Sequence, residues 1–96
     1  MQTKEQPMTR KQFVEHWFDR SWKKAIGSPA RYVNIRMKGC GFNVMYMPDH
    51  NDNSKWTFSV RPVGRKGGGF TGEKYDFPEH AQLAALEKAA DLFGLA

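Results

Sequence analysis

Residues 31–63 read RYVNIRMKGCGFNVMYMPDHNDNSKWTFSVRPV, and this stretch decides the fold. From Arg31 to Met37, Val33, Ile35 and Met37 alternate with Tyr32, Asn34 and Arg36, the period-2 pattern of a strand with one buried face. Lys55 to Arg61 repeats it, with Trp56, Phe58 and Val60 inward and Lys55, Thr57, Ser59 and Arg61 outward. Between them, Phe42 to Met47 places Phe42, Val44 and Tyr46 toward the core, which leaves Asn43, Met45 and Met47 on the open face. Lys38-Gly-Cys-Gly41 is a turn sequence, and the Asp- and Asn-rich run from Pro48 to Ser54 suits a polar loop. Three consecutive antiparallel strands with one apolar face need a cover on that face.

Helices on both sides of the stretch supply the cover. Thr9 and Gln12 fit a capping box, and Met8 and Phe13 stand at the positions of a hydrophobic staple around it. Phe13, Val14, Trp17, Phe18, Trp22, Ala25 and Ile26 then recur at helical spacing, and Gly27 and Pro29 stop the run. This predicts a first helix from Thr9 to about Ile26. A closing helix begins at Pro78, where a missing N–H costs nothing, carries Leu83, Leu86, Ala90 and Phe93 as its stripe, and ends at Gly94. Glu73 to Phe77 is expected to add a short fourth strand with Tyr75 and Phe77 inward. The expectation is a two-layer α+β domain over residues 9–96: an N-terminal helix, a three- to four-stranded antiparallel sheet and a C-terminal helix, after a disordered lead of residues 1–8.

The chain's 96 residues allow one core, and 40% hydrophobic residues with seven Phe, three Trp and three Tyr are enough to build it. A single cysteine, Cys40, excludes an internal disulfide and a Cys-based zinc site, which fits a reducing compartment. No apolar run approaches the roughly 20 residues of a membrane span, and Met1 to Thr9 lacks a signal-peptide core. The expected location is therefore the cytoplasm, with no membrane partner. The net charge of +5 is unevenly spread: Arg10 to Lys66 holds twelve Lys or Arg against four Asp or Glu, whereas Gly67 to Ala96 holds two against five. A cationic body with an acidic final helix suggests one face attractive to polyanions.

No catalytic, metal or cofactor signature emerges, so the chain reads as a binding module and not an enzyme. Asp49, Asn51 and Asn53 take the first positions of a calcium loop, but Ser54 stands where its glycine belongs and Val60 where its glutamate belongs. His16, His50 and His80 have no paired spacing with one another or with Cys40. The Gly64 to Gly72 run has five glycines, with Arg65 and Lys66 near its start; it lacks the Lys-Ser/Thr of a phosphate loop and reads as a mobile connection able to follow a phosphate chain.

The open sheet face is the strongest constellation. Tyr32, Asn34, Arg36, Lys38, Lys55, Arg61, Arg65 and Lys66 interleave cations with hydrogen-bonding side chains, a pattern suited to phosphates and base edges of DNA or RNA. Arg36, Lys38, Lys55, Arg61, Arg65 and Lys66 are expected on phosphates, with Tyr32 and Asn34 on bases or sugars. Met45 and Met47 beside Tyr32 form a second possible patch, for a protein. On that alternative the chain is a phage or mobile-element accessory protein that inhibits a host protein or nucleoprotein complex, for example an anti-restriction or anti-CRISPR inhibitor. Either reading allows a monomer or a homodimer.

Three strands followed by a helix that opens Phe77-Pro-Glu-His-Ala-Gln-Leu-Ala-Ala, with basic residues on the strands, resembles the AP2-type DNA-binding domains of plant factors and phage integrases. That resemblance implies a sheet laid in the major groove. The helix, three strands and helix in order also resemble double-stranded RNA-binding domains, although Pro78-Glu-His replaces the Lys-rich start of their last helix. Both likenesses are of topology, and no functional residue is carried over from them.

Overall fold

The computed structural model describes residues 8–37, 39–64 and 69–95. The expected disordered lead, up to residue 7, lies outside the described residues, as do Lys38, Arg65 and Lys66. Helix α1 (Arg10–Phe18) is followed by strands β1 (Lys23–Lys24), β2 (Arg31–Met37), β3 (Cys40–Pro48), β4 (Trp56–Pro62) and β5 (Phe70–Thr71), and then by helix α2 (Pro78–Leu92). The strands form one antiparallel sheet in chain order. This is the expected α+β architecture, with β1 gained at one edge and the short strand at the other formed by different residues from those expected.

The alternation of the three long strands holds. Ile35, Val44, Phe58 and Val60 are buried, and Val33, Met37, Phe42 and Tyr46 pack against them. α2 lies on this apolar face across β3 and β4, and α1 packs on α2. Ala81, Ala85 and Ala89 repeat every fourth residue on the buried side of α2, where small side chains let a helix approach a sheet closely. Phe93 joins the layers: its ring meets Phe13 of α1 edge-on at 5.8 Å and Phe42 of β3 at 5.1 Å. Each such pair adds about 0.5–1.5 kcal/mol to the burial itself. Met8, assigned to the lead, packs against this core and belongs to the domain.

The helix boundaries follow hydrogen bonding. The Thr9–Gln12 capping box is present in both directions. Gly94 adopts φ +78, and the Gly94 N–H to Asp91 O and Leu95 N–H to Ala90 O bonds close α2 as a Schellman motif, which buries Leu95.

Three expectations are corrected. α1 ends at Phe18, eight residues before Ile26, because its last carbonyls find partners from outside the helix: Trp22 Nε1–H donates to Trp17 O at 2.8 Å and Gln82 Nε2–H to Phe18 O at 3.3 Å. The chain then turns back, Lys23 and Lys24 pair with Tyr32 and Arg31, and Gly27 serves the hairpin turn at φ +72 instead of stopping a helix. Ile26 is left fully exposed at that turn.

The short strand beside β4 is Phe70–Thr71 and not Glu73 to Phe77. Tyr75 makes a single bridge to Trp56, while Phe77 is 57% exposed at the start of α2. The buried stripe of α2 is also rotated: Leu86 and Ala90 face the core as expected, but Leu83 is 41% exposed. Among the described residues, no helix is long and apolar enough to cross a membrane.

Candidate functional site

Paired residues of an antiparallel sheet point to the same side, so the register lays out the open face row by row. One row crosses all five strands: Lys23, Tyr32, Met45, Ser59 and Thr71. The next is Asn34, Asn43 and Arg61, and beyond it Arg36 stands opposite Gly41. On the other flank Met47 faces Thr57. The five strands contain no Asp or Glu at all. Every carboxylate of the domain is carried by a helix or a loop.

The face is concave. A groove of about 1180 Å³ opens here, lined by Asn43, Met45, Met47, Thr57 and Ser59 of the strands together with the turn after β1 and the loop after β3. The turn contributes Pro29 and Ala30, the loop contributes Asp49 and His50, and Arg61 lines the groove as well. Thr57, on the face predicted to be open, is only 7% exposed, and its hydroxyl donates to Gly72 O at 3.1 Å. The β3–β4 loop is held by its own carboxylates. Asp49 Oδ2 accepts from the N–H groups of Asn51 and Asp52, and Asp52 Oδ1 accepts from the N–H and hydroxyl of Ser54. The apparent calcium pattern is thus spent on turn hydrogen bonds. The Ser54 hydroxyl, then its N–H, hold the Asp52 carboxyl below the usual carboxylate range.

The predicted residues divide into three groups. Tyr32, Asn34, Arg36 and Arg61 share the open face, with Asn34, Arg36 and Arg61 exposed and Tyr32 half-buried. Arg61 Nε–H reaches Ser59 Oγ at 3.4 Å, and its aliphatic stem runs so close beneath Gly69 that a Cβ there would lie 2.9 Å from it. Met45 and Met47 are half-buried in the groove. Lys55 is different: its ammonium is bonded to the Asp76 carboxylate in the segment leading to α2, which raises the Lys55 pKa and lowers that of Asp76. It therefore already has an anionic partner, unlike the cation expected of an outward strand residue. Lys38, Arg65 and Lys66 lie outside the described residues.

Lys23, which apolar spacing puts in the first helix, joins the open face through its pairing with Tyr32. The signal was present in Asp19-Arg20-Ser21, which interrupts the apolar spacing, and in the turn-forming Gly27-Ser-Pro29 that lets a short strand fold back. Asn43 carries a second hidden feature: its Oδ1 is buried and has no hydrogen-bond partner among the described residues. No family model, curated protein or solved structure matches the chain.

Proposed function

We infer that the open sheet face binds nucleic acid. The observation that carries this reading is the charge sorting: Lys23, Arg36 and Arg61 stand with Tyr32, Asn34 and Asn43 on one surface, on strands without a single acidic residue. Cations spaced along a sheet neutralise phosphates and release their counterions, which gives affinity without sequence preference. Tyr32 and Asn34 then supply a stacking surface and an amide for bases or sugars. The helices occupy the opposite face and leave this one free of the core.

Fluorescence anisotropy of labelled duplex DNA, single-stranded DNA and RNA, at about 50 and about 200 mM salt, tests the reading. Binding to at least one form with a steep loss at higher salt is expected. The double variant Arg36→Ala/Arg61→Ala should keep its fold and weaken binding, with a salt slope shallower by about 1.8 on duplex DNA if each arginine holds one phosphate. Absence of binding to all three forms at low salt refutes the reading.

The groove favours a second reading, in which a protein segment seats on Met45 and Met47, soft side chains that adapt to varied partners. On this reading the chain acts as an accessory inhibitor of a host protein or nucleoprotein complex. Met45→Asp should then abolish partner capture and spare nucleic-acid affinity; capture that survives the change argues against it.

A further inference from the structure

Strand β2 is paired along its whole length on one side and only at its start on the other. β3 takes all seven of its residues, whereas β1 reaches only Arg31 and Tyr32. In an antiparallel ladder, successive residues direct their backbone groups alternately to the two neighbours. The Ala25 N–H donates to Ala30 O at 3.0 Å, which fixes the phase: the even-numbered residues face the β1 side. Tyr32 meets Lys23 there. The N–H and C=O groups of Asn34 and Arg36 have no strand partner among the described residues.

An unpaired edge of this kind is a template for another strand. We propose that the β2 edge pairs with the same edge of a second copy of this chain, antiparallel and centred on Ile35. In that register Asn34 lies opposite Arg36 of the second copy and Arg36 opposite its Asn34. Both are hydrogen-bonded pairs, so four bonds across a two-fold axis satisfy all the open groups on both copies.

Other registers do worse. Centring on Asn34 satisfies that residue alone, because Tyr32 is already paired with Lys23. Centring on Arg36 sets two guanidinium groups directly opposite each other, which is destabilising. The Ile35 register also matches the faces: Val33 meets Met37 on the helix side, and Asn34 meets Arg36 on the open side. β2 of the second copy leaves the sheet at Met37, just where β1 begins to occupy the edge. The product is a ten-stranded sheet with one continuous open face. The inference rests on backbone pairing and stands whether or not that face binds nucleic acid.

Sedimentation velocity over a concentration series, at about 150 mM salt where charge repulsion is screened beyond about 8 Å, tests it. The parent chain is expected to move from monomer to dimer. Asn34→Pro removes an N–H that points away from β3 and is a tolerable edge substitution; it should abolish the dimer and keep the circular dichroism spectrum of the parent. If Asn34→Pro does not fold, Asn34→Cys/Arg36→Cys in a Cys40→Ser background decides, since paired Cα atoms about 5.5 Å apart lie within disulfide range. A disulfide-linked dimer on oxidation supports the register. A parent that stays monomeric throughout, a dimer that survives Asn34→Pro, or cysteines that do not cross-link overturns the proposal.

Discussion

A Cβ atom placed on Gly72 would lie 2.0 Å from Cε2 of Phe58, so the glycine backbone rests directly against that ring. Gly72 N–H also donates to Phe58 O at 3.0 Å, and Thr57 donates to Gly72 O. Here the chain leaves β5 and starts back toward α2. Gly72→Ala must displace either the ring or the backbone. It is expected to cost about 1–3 kcal/mol, the usual range for overpacking, read as a lower urea midpoint with an unchanged m-value. A midpoint equal to the parent's would show that the Phe58 contact is easily relaxed.

Trp22 closes α1 through one hydrogen bond and packs on the sheet through its ring, which meets Tyr46 edge-on at 5.2 Å. Trp22→Phe keeps an aromatic ring and removes the indole N–H, leaving the Trp17 carbonyl without that donor. That carbonyl keeps the 3.3 Å bond from the Arg20 N–H, so a loss of about 0.5–1.5 kcal/mol is expected in thermal or urea unfolding. Trp22→Ala, which also empties the ring's site, should cost more.

The Asn43 Oδ1, buried and without a partner among the described residues, sits in the middle of the open face. Replacing Asn43 by Val removes a desolvated acceptor and puts a β-branched residue in a strand, so stability should rise by about 1 kcal/mol. If the face binds nucleic acid, anisotropy should show weaker binding in the same variant, the trade expected where a polar group is kept for function. A stability loss would mean that the amide contributes more through its NH₂ than its orphaned oxygen costs.

Acid should weaken the fold through Asp76 and Asp52. The hydrogen bond from Lys55, then its charge, holds the Asp76 carboxyl below its ordinary value, and Ser54 does the same for Asp52. For a carboxyl depressed in the folded state, the stabilisation is complete above the unfolded value of about 3.9 and is lost as pH falls through the lower folded value. The melting temperature should therefore hold from neutral pH to about pH 5 and drop below about pH 4. Asp76→Asn should show a lower plateau and a shallower acid limb; an acid limb identical to the parent's would remove the Lys55 pair from the account.

The three long strands and their faces were legible because alternation is local: Val33-Asn-Ile-Arg-Met37 carries its own in–out pattern whatever it pairs with. The cap at Thr9, the start of α2 at Pro78 and its end at Gly94 were legible for the same reason, since each device works within a few residues. The candidate site was half legible. Tyr32, Asn34, Arg36 and Arg61 follow from alternation, but Lys23 required knowing that the chain folds back, and the partner of Lys55 lies 21 positions away.

What the sequence by itself determined, then, was the order of α1, the three long strands and α2, the two faces of β2, β3 and β4, and the acid-free composition of those three strands. Only the tertiary structure decided where α1 stops, which residues form the edge strands and how deep the open face is. The physical reason lies in separation along the chain: Gln82 reaches the carbonyl of Phe18 across 64 positions, and Phe58 selects a glycine 14 residues downstream. A periodic pattern records which side of a segment is buried; it does not record which distant group will satisfy its ends.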